Sequence, residues 1–204
     1  MDTSIILHRV LPFSKRLISM VVNEGETVVD ATAGNGNDTL FLARHVGETG
    51  KVIAFDIQQE ALDSTRASLE KEEVTTPVDL ILDSHANVKQ YVDGKIGGAM
   101  FNLGYLPYSD DLTVVTEPDS TVQAVDRMLD LLKKDGIITI SVYDGHEGGP
   151  EERDALLAYV KRLHQKDAHV IRYELLNQRR NPPFLIAIEK MRDFDAHELI
   201  EEDE

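Results

Sequence analysis

Ten residues, Asp30-Ala31-Thr32-Ala33-Gly34-Asn35-Gly36-Asn37-Asp38-Thr39, limit the folds open to this chain more than any other stretch. They follow the β-branched run Thr27-Val28-Val29 and lead into Leu40-Phe41-Leu42-Ala43, which predicts a strand, a glycine-rich turn and a helix start. Gly34 and Gly36 have no Cβ, so the backbone can turn tightly there and approach a ligand. An acid closing the strand, then Gly-x-Gly, then a second acid after the next strand is the layout of cofactor-binding Rossmann-like sheets. The second acid is Asp56, at the end of Lys51-Val52-Ile53-Ala54-Phe55-Asp56, where a ribose-diol acceptor would stand.

A dinucleotide site would want Gly-x-Gly-x-x-Gly, and its third glycine is here Thr39. Asp38 also sets a negative charge at the helix N-terminus, where a pyrophosphate would otherwise bind. Both features favour a cofactor without phosphates. S-adenosylmethionine fits, because its sulfonium and α-amino groups are cationic and its ribose needs an acidic partner.

The chain's 204 residues suffice for one full doubly wound sheet, so residues 1–191 read as a single domain with a helical leader over 4–22. The absence of cysteine excludes a disulfide framework and a thiolate metal site, and a cytoplasmic home is the simplest expectation. No metal and no membrane span are expected. A net charge of -16 disfavours broad contact with nucleic acid, but seven of the acids lie within residues 193–204, and 192–204 read as a solvated acidic tail. Basic clusters remain at His8-Arg9 with Lys15-Arg16, at Lys161-Arg162 with Lys166, and at Arg172 with Arg179-Arg180. A compact RNA substrate needs such a patch and not a basic protein.

In the leader, Ile6, Leu7, Val10, Leu17, Ile18 and Val21 recur at helical spacing, with Pro12 expected to divide a helix pair. Strand two, 51–57, precedes a helix carrying Ala61, Leu62, Thr65 and Leu69. Strand three, 78–82, ends at Asp83-Ser84-His85, which places Ser84 and His85 at the adenine side of a crevice at the strands' carboxyl ends. Strand four, 97–101, ends in Asn102-Leu103-Gly104-Tyr105-Leu106-Pro107, next to strand one where the strand order reverses. An asparagine there can accept a hydrogen bond from an amine and orient its lone pair toward an incoming methyl group. A helix from Pro118, ended by Asp135-Gly136, leads to strand five, 137–142. The polar loop Tyr143-Asp144-Gly145-His146 follows; Tyr143 and His146 could line the substrate side, with His146 able to relay a proton. Strand six, 169–176, and the last strand, 184–189, have no helix between them and must pair antiparallel or lie apart. A terminal antiparallel hairpin on a parallel sheet points to a methyltransferase and away from a dehydrogenase.

Together Asp30–Thr39, Phe55-Asp56-Ile57-Gln58, Asn102–Pro107, Tyr143–His146, and Asn177-Gln178 with Asn181-Pro182-Pro183-Phe184 resemble the bacterial "putative rRNA methylase" family, from about residue 4 to 191. The resemblance implies an α/β, Rossmann-like class I fold dependent on S-adenosylmethionine: seven mostly parallel strands, a terminal antiparallel hairpin, and helices on both faces. It implies a tRNA methyltransferase that converts 5-aminomethyl-2-thiouridine at the wobble position to its methylaminomethyl form, with the anticodon stem-loop as partner. Asn35, Asn37, Asp56, Gln58, Ser84 and His85 would hold the cofactor, joined by Thr32, Gly34, Gly36, Asp38, Thr39 and Ile57 from the turn and strand end, by Asn102, and by Asp30, which would bind the methionine amine or orient the loop. Asp30, Asn102, Tyr105, Tyr143 and His146 would surround the reacting amine. Which of them takes the proton stays open, as do a homodimer and methylation of rRNA or a small-molecule amine instead.

Overall fold

The structure is a computed structural model and describes residue 7 and residues 9–103, 118–145, 148–179 and 182–194. Tyr105 and His146 lie outside the described residues, as do 195–204. In chain order the elements are α1 (Val10–Val21), β1 (Thr27–Asp30), α2 (Asn37–Val46), β2 (Lys51–Asp56), α3 (Gln59–Lys71), β3 (Val78–Leu82) and a 3-10 segment (His85–Gln90). Then come β4 (Ile96–Leu103), α4 (Pro118–Leu131), β5 (Leu132–Val142), α5 (Gly149–Arg162), β6 (Ala168–Tyr173) and β7 (Phe184–Lys190).

The strands form one seven-stranded sheet in the order β3-β2-β1-β4-β5-β7-β6. The first five run parallel, and β7 pairs antiparallel with both β5 and β6, the terminal hairpin expected from the sequence. Alternate residues along each strand serve opposite faces. Val29, Ile53, Ala99, Ile138 and Ile188 pack with Met128 and Leu129 of α4 and Leu156 and Val160 of α5. Their neighbours Val28, Val52, Met100, Ile137 and Ala187 pack with Ile18 of α1 and Leu42, Ala43 and Val46 of α2. Such near-continuous apolar runs are what strands covered on both faces require.

Three boundaries differ from the sequence expectation. Among the described residues of the leader, Pro12 does not break the helix: it falls in the first turn of α1, where backbone N–H groups have no intrahelical acceptor. The first such bond is donated by the next residue, Phe13, to the Arg9 carbonyl at 3.0 Å. Helix α4 ends at Leu131 and not at Asp135-Gly136, and β5 begins at once. The pairing then jumps from Ile96↔Leu132 to Gly98↔Ile137, and Asp135 sits inside that bulge in the left-handed region, at φ 61°. Finally, β4 runs through Leu103, so Asn102 is a strand residue in register with Ser141.

At the chain's other end, contacts to the body continue past residue 191: Arg192 donates to buried Asp167, and Phe194 packs against the core beneath Lys190. No helix among the described residues is long and apolar enough to cross a membrane. No group of three His, Asp or Glu side chains among them is placed to hold a metal ion.

Candidate active site

The sheet order reverses between β1 and β4, the point of such a sheet where a ligand crevice lies at the carboxyl ends of the strands. The turn after β1 is built on two left-handed glycines, Gly34 at φ 53° and Gly36 at φ 79°. A Cβ on Gly36 would also lie 2.9 Å from the Thr65 Cα of α3, so the position is closed to side chains by backbone angle and by space. Gly36→Ala is therefore expected to destabilise the fold by about 1–3 kcal/mol, read as a lower urea midpoint. An unchanged midpoint would mean that the turn relaxes freely.

Asp56 fastens this turn to β2. Its Oδ2 accepts the Gly34 N–H at 3.0 Å and its Oδ1 accepts the Gln58 N–H at 3.0 Å. A carboxylate offers about four lone pairs, so two remain for hydroxyl donors from a ligand. Ile57, beside it, is 56% exposed and presents an apolar surface at the crevice's lip. On the far side of the turn, Asn35 accepts the Ser64 hydroxyl at 3.3 Å, which ties it to α3. The Asn37 carbonyl and the Asp38 carboxylate are both taken by Lys15 of α1, at 3.2 and 2.8 Å. Lys15, a basic residue that the sequence offered as a substrate contact, thus acts as a strut between α1 and the start of α2.

Asp30 closes β1 with its side chain on the α2 face, and only 1% of it is exposed. One oxygen accepts the Thr39 hydroxyl at 2.6 Å and the other the Thr32 N–H at 3.1 Å. The residue at the third-glycine position is thus used to tie helix to strand. Burial, aided by the nearby charge of Asp38, pushes the Asp30 pKa up to about 7.

Beyond β3, the Ser84 hydroxyl accepts the Ala86 N–H at 3.2 Å and so caps the 3-10 segment. Asp83 accepts the Tyr91 hydroxyl at 2.8 Å and the Asn87 amide, bracing the same segment from below. His85 is 7% exposed; its Nδ1 bonds the Ala31 carbonyl at 2.9 Å, and its ring lies edge-on to Phe101. Because a carbonyl only accepts, Nδ1 carries the proton, and Nε2 is left as a buried acceptor without a partner among the described residues. Burial lowers the pKa of His85, which keeps the ring neutral.

Asn102 and Tyr143 complete the set. Asn102 is half-buried on the same sheet face as Asp30, and its backbone N–H donates to the Thr32 hydroxyl at 2.8 Å. Tyr143 follows β5; burial and then the charge of Asp38 raise its pKa, so near neutral pH it is a phenol that can donate a hydrogen bond. The loop carrying it is pinned by Arg153 of α5, whose guanidinium meets Asp144 at 2.6 Å. Neither this pin nor the Lys15 strut has a local sequence signal, since each joins residues that only the packing of helix on sheet brings together. The rings of Phe13 and Tyr173, 4.3 Å apart, fix the start of α1 to the end of β6. Arg172, in one of the basic clusters, stacks on Phe184 and pairs with Glu174 at 2.7 Å.

Residues 52–189 match the family described as "putative rRNA methylase". The chain belongs to that family. A family structure from Clostridium thermocellum, also described as a "putative rRNA-methylase", superposes with a TM-score of 0.89 at 43% identity, covering 92% of this chain and all of that one. A second, a "putative methyltransferase" from Streptococcus mutans in complex with SAH, gives 0.84 at 41% identity over 91% of this chain and all of that one. The chain is also 34% identical over 168 residues, 78% of its length, to an Arabidopsis thaliana protein named tRNA (mnm(5)s(2)U34)-methyltransferase, chloroplastic. It spans 61% of that relative's length. Sheet order, hairpin and family together place the fold among the class I S-adenosylmethionine-dependent methyltransferases.

Proposed function

We propose that this protein is an S-adenosylmethionine-dependent N-methyltransferase that acts on the aminomethyl group of 5-aminomethyl-2-thiouridine at the tRNA wobble position. The observation that carries the reading is Asn102, an amide at the carboxyl end of β4 beside the glycine turn, on the face it shares with Asp30. The chloroplast relative's name supports the tRNA substrate.

The residues present fit the cofactor: the left-handed turn at 34–36 lets the backbone come close, and Asp56 keeps lone pairs free for a ribose diol. Bound S-adenosylmethionine supplies a methyl group activated by a cationic sulfur. Asn35, Asn37, Asp56, Ile57, Gln58 and Ser84 are the residues that would hold it. The Asn102 carbonyl oxygen accepts an N–H of the primary amine and turns the nitrogen lone pair into the crevice. An amine must be neutral to attack, and a neutral amide and a neutral phenol, Asn102 and Tyr143, surround it without favouring the ammonium form. Asp30 serves the turn and not the amine, since its side chain is buried and bonded to Thr32 and Thr39 of that turn.

The net charge of -16 favours a second reading, in which a small amine and not RNA accepts the methyl group. Methyl-labelled S-adenosylmethionine, offered with undermodified tRNA, ribosomal RNA or a polyamine, separates the two. Label entering tRNA alone supports the proposal, and label entering rRNA or the polyamine overturns it.

A further inference from the structure

Strands β1 and β4 part at the crevice by exchanging hydrogen-bond partners. Their parallel ladder is regular as far as Ala31, whose N–H donates to the Met100 carbonyl at 2.8 Å. Evenly spaced parallel bonding would next run from the Asn102 N–H to the Ala31 carbonyl. That carbonyl is instead taken by the Nδ1–H of His85 at 2.9 Å. The Asn102 N–H turns to the Thr32 hydroxyl at 2.8 Å, so a side chain from the cofactor turn stands where a backbone acceptor would. Thr32 is itself held, because its N–H donates to Asp30, whose other oxygen accepts the Thr39 hydroxyl. His85 is fixed from behind by Phe101, the residue before Asn102.

We infer that Thr32 is a positioning residue: its hydroxyl sets the backbone at Asn102, and through it the aim of the Asn102 amide, at the point where His85 has drawn the Ala31 carbonyl out of the ladder. The inference rests on the role proposed above for Asn102. It differs from the expectation that Thr32 binds the cofactor, because the contact at its hydroxyl is to the strand that carries the amide. The exchange also opens the crevice. With Ala31 and Asn102 no longer bonded to each other, β1 can turn into the glycine loop while β4 continues to Leu103.

Thr32→Val removes the acceptor at nearly constant volume, and Thr32→Ser keeps it. With tRNA carrying the unmethylated aminomethyl-thiouridine, T32V is expected to lower kcat about tenfold or more while S-adenosylmethionine affinity stays within about twofold; T32S should restore most of the rate. A purely structural role would move melting temperature and all kinetic constants together and would not give this split. Unchanged turnover in T32V, or loss of turnover in proportion to lost cofactor affinity, would overturn the assignment.

A second readout does not depend on turnover. Amide hydrogen exchange at Asn102 should be slow in the wild type and in T32S and markedly faster in T32V. Equal protection in all three would overturn the inference. If the wild type methylates no aminomethyl-uridine, the functional proposal fails by itself, and the exchange pattern at Asn102 still decides the role of Thr32.

Discussion

Asn102→Ala is expected to slow methyl transfer about 100-fold or more while S-adenosylmethionine affinity changes by no more than about twofold. The basis is separation of duties within the crevice. Asn102 lies at the end of β4, whereas the groups that would hold the cofactor lie on the turn after β1 and on the ends of β2 and β3. Removing an amide that only orients the nucleophile should cost the transition state and not the bound cofactor. Asp56→Ala should show the opposite pattern. It takes away the carboxylate that holds the Gly34 and Gln58 N–H groups, and cofactor affinity should fall about tenfold to 100-fold by calorimetric titration. If N102A and D56A lost affinity and rate in the same proportion, the division of roles would be wrong.

The second large effect concerns Asp30. Its carboxyl is buried, and its pKa in the fold, about 7, stands above the ordinary value of 3.8. Between those two values the native protein binds a proton that the unfolded chain does not, so stability falls as pH rises through this window and levels off above about 7. Asn at this position can still accept the Thr32 N–H and can donate to the Thr39 hydroxyl oxygen, so Asp30→Asn should fold. Relative to the wild type, D30N should gain on the order of 2–4 kcal/mol as pH rises from about 4 to 8, since other titrating groups cancel in the comparison. Urea unfolding of both proteins at the two pH values measures this directly. Parallel pH profiles would show that Asp30 is ionised in the fold at little cost.

Much of this architecture is legible in the residues because it follows from local rules. The glycine turn needs φ values that Gly34 and Gly36 supply, and β6 and β7 lie too close in sequence for a parallel crossover. What is not legible depends on packing over distance. The Lys15–Asp38 pair spans two helices, and Arg153 reaches the β5 loop from α5. Pro12 reads as a helix breaker by its identity and is harmless by its position, which the helix start alone decides. Thr39 marks the site as unsuited to a dinucleotide, yet nothing in the sequence says that its hydroxyl would clamp Asp30. The exchange among Ala31, His85, Thr32 and Asn102 exists only once two strands are in register.

The central claim is tested most directly by nucleoside mass spectrometry of tRNA bearing 5-aminomethyl-2-thiouridine after incubation with the purified protein and S-adenosylmethionine. Loss of that nucleoside with matching gain of 5-methylaminomethyl-2-thiouridine is the predicted result. An unchanged nucleoside, from a protein shown in parallel to bind S-adenosylmethionine, would contradict it.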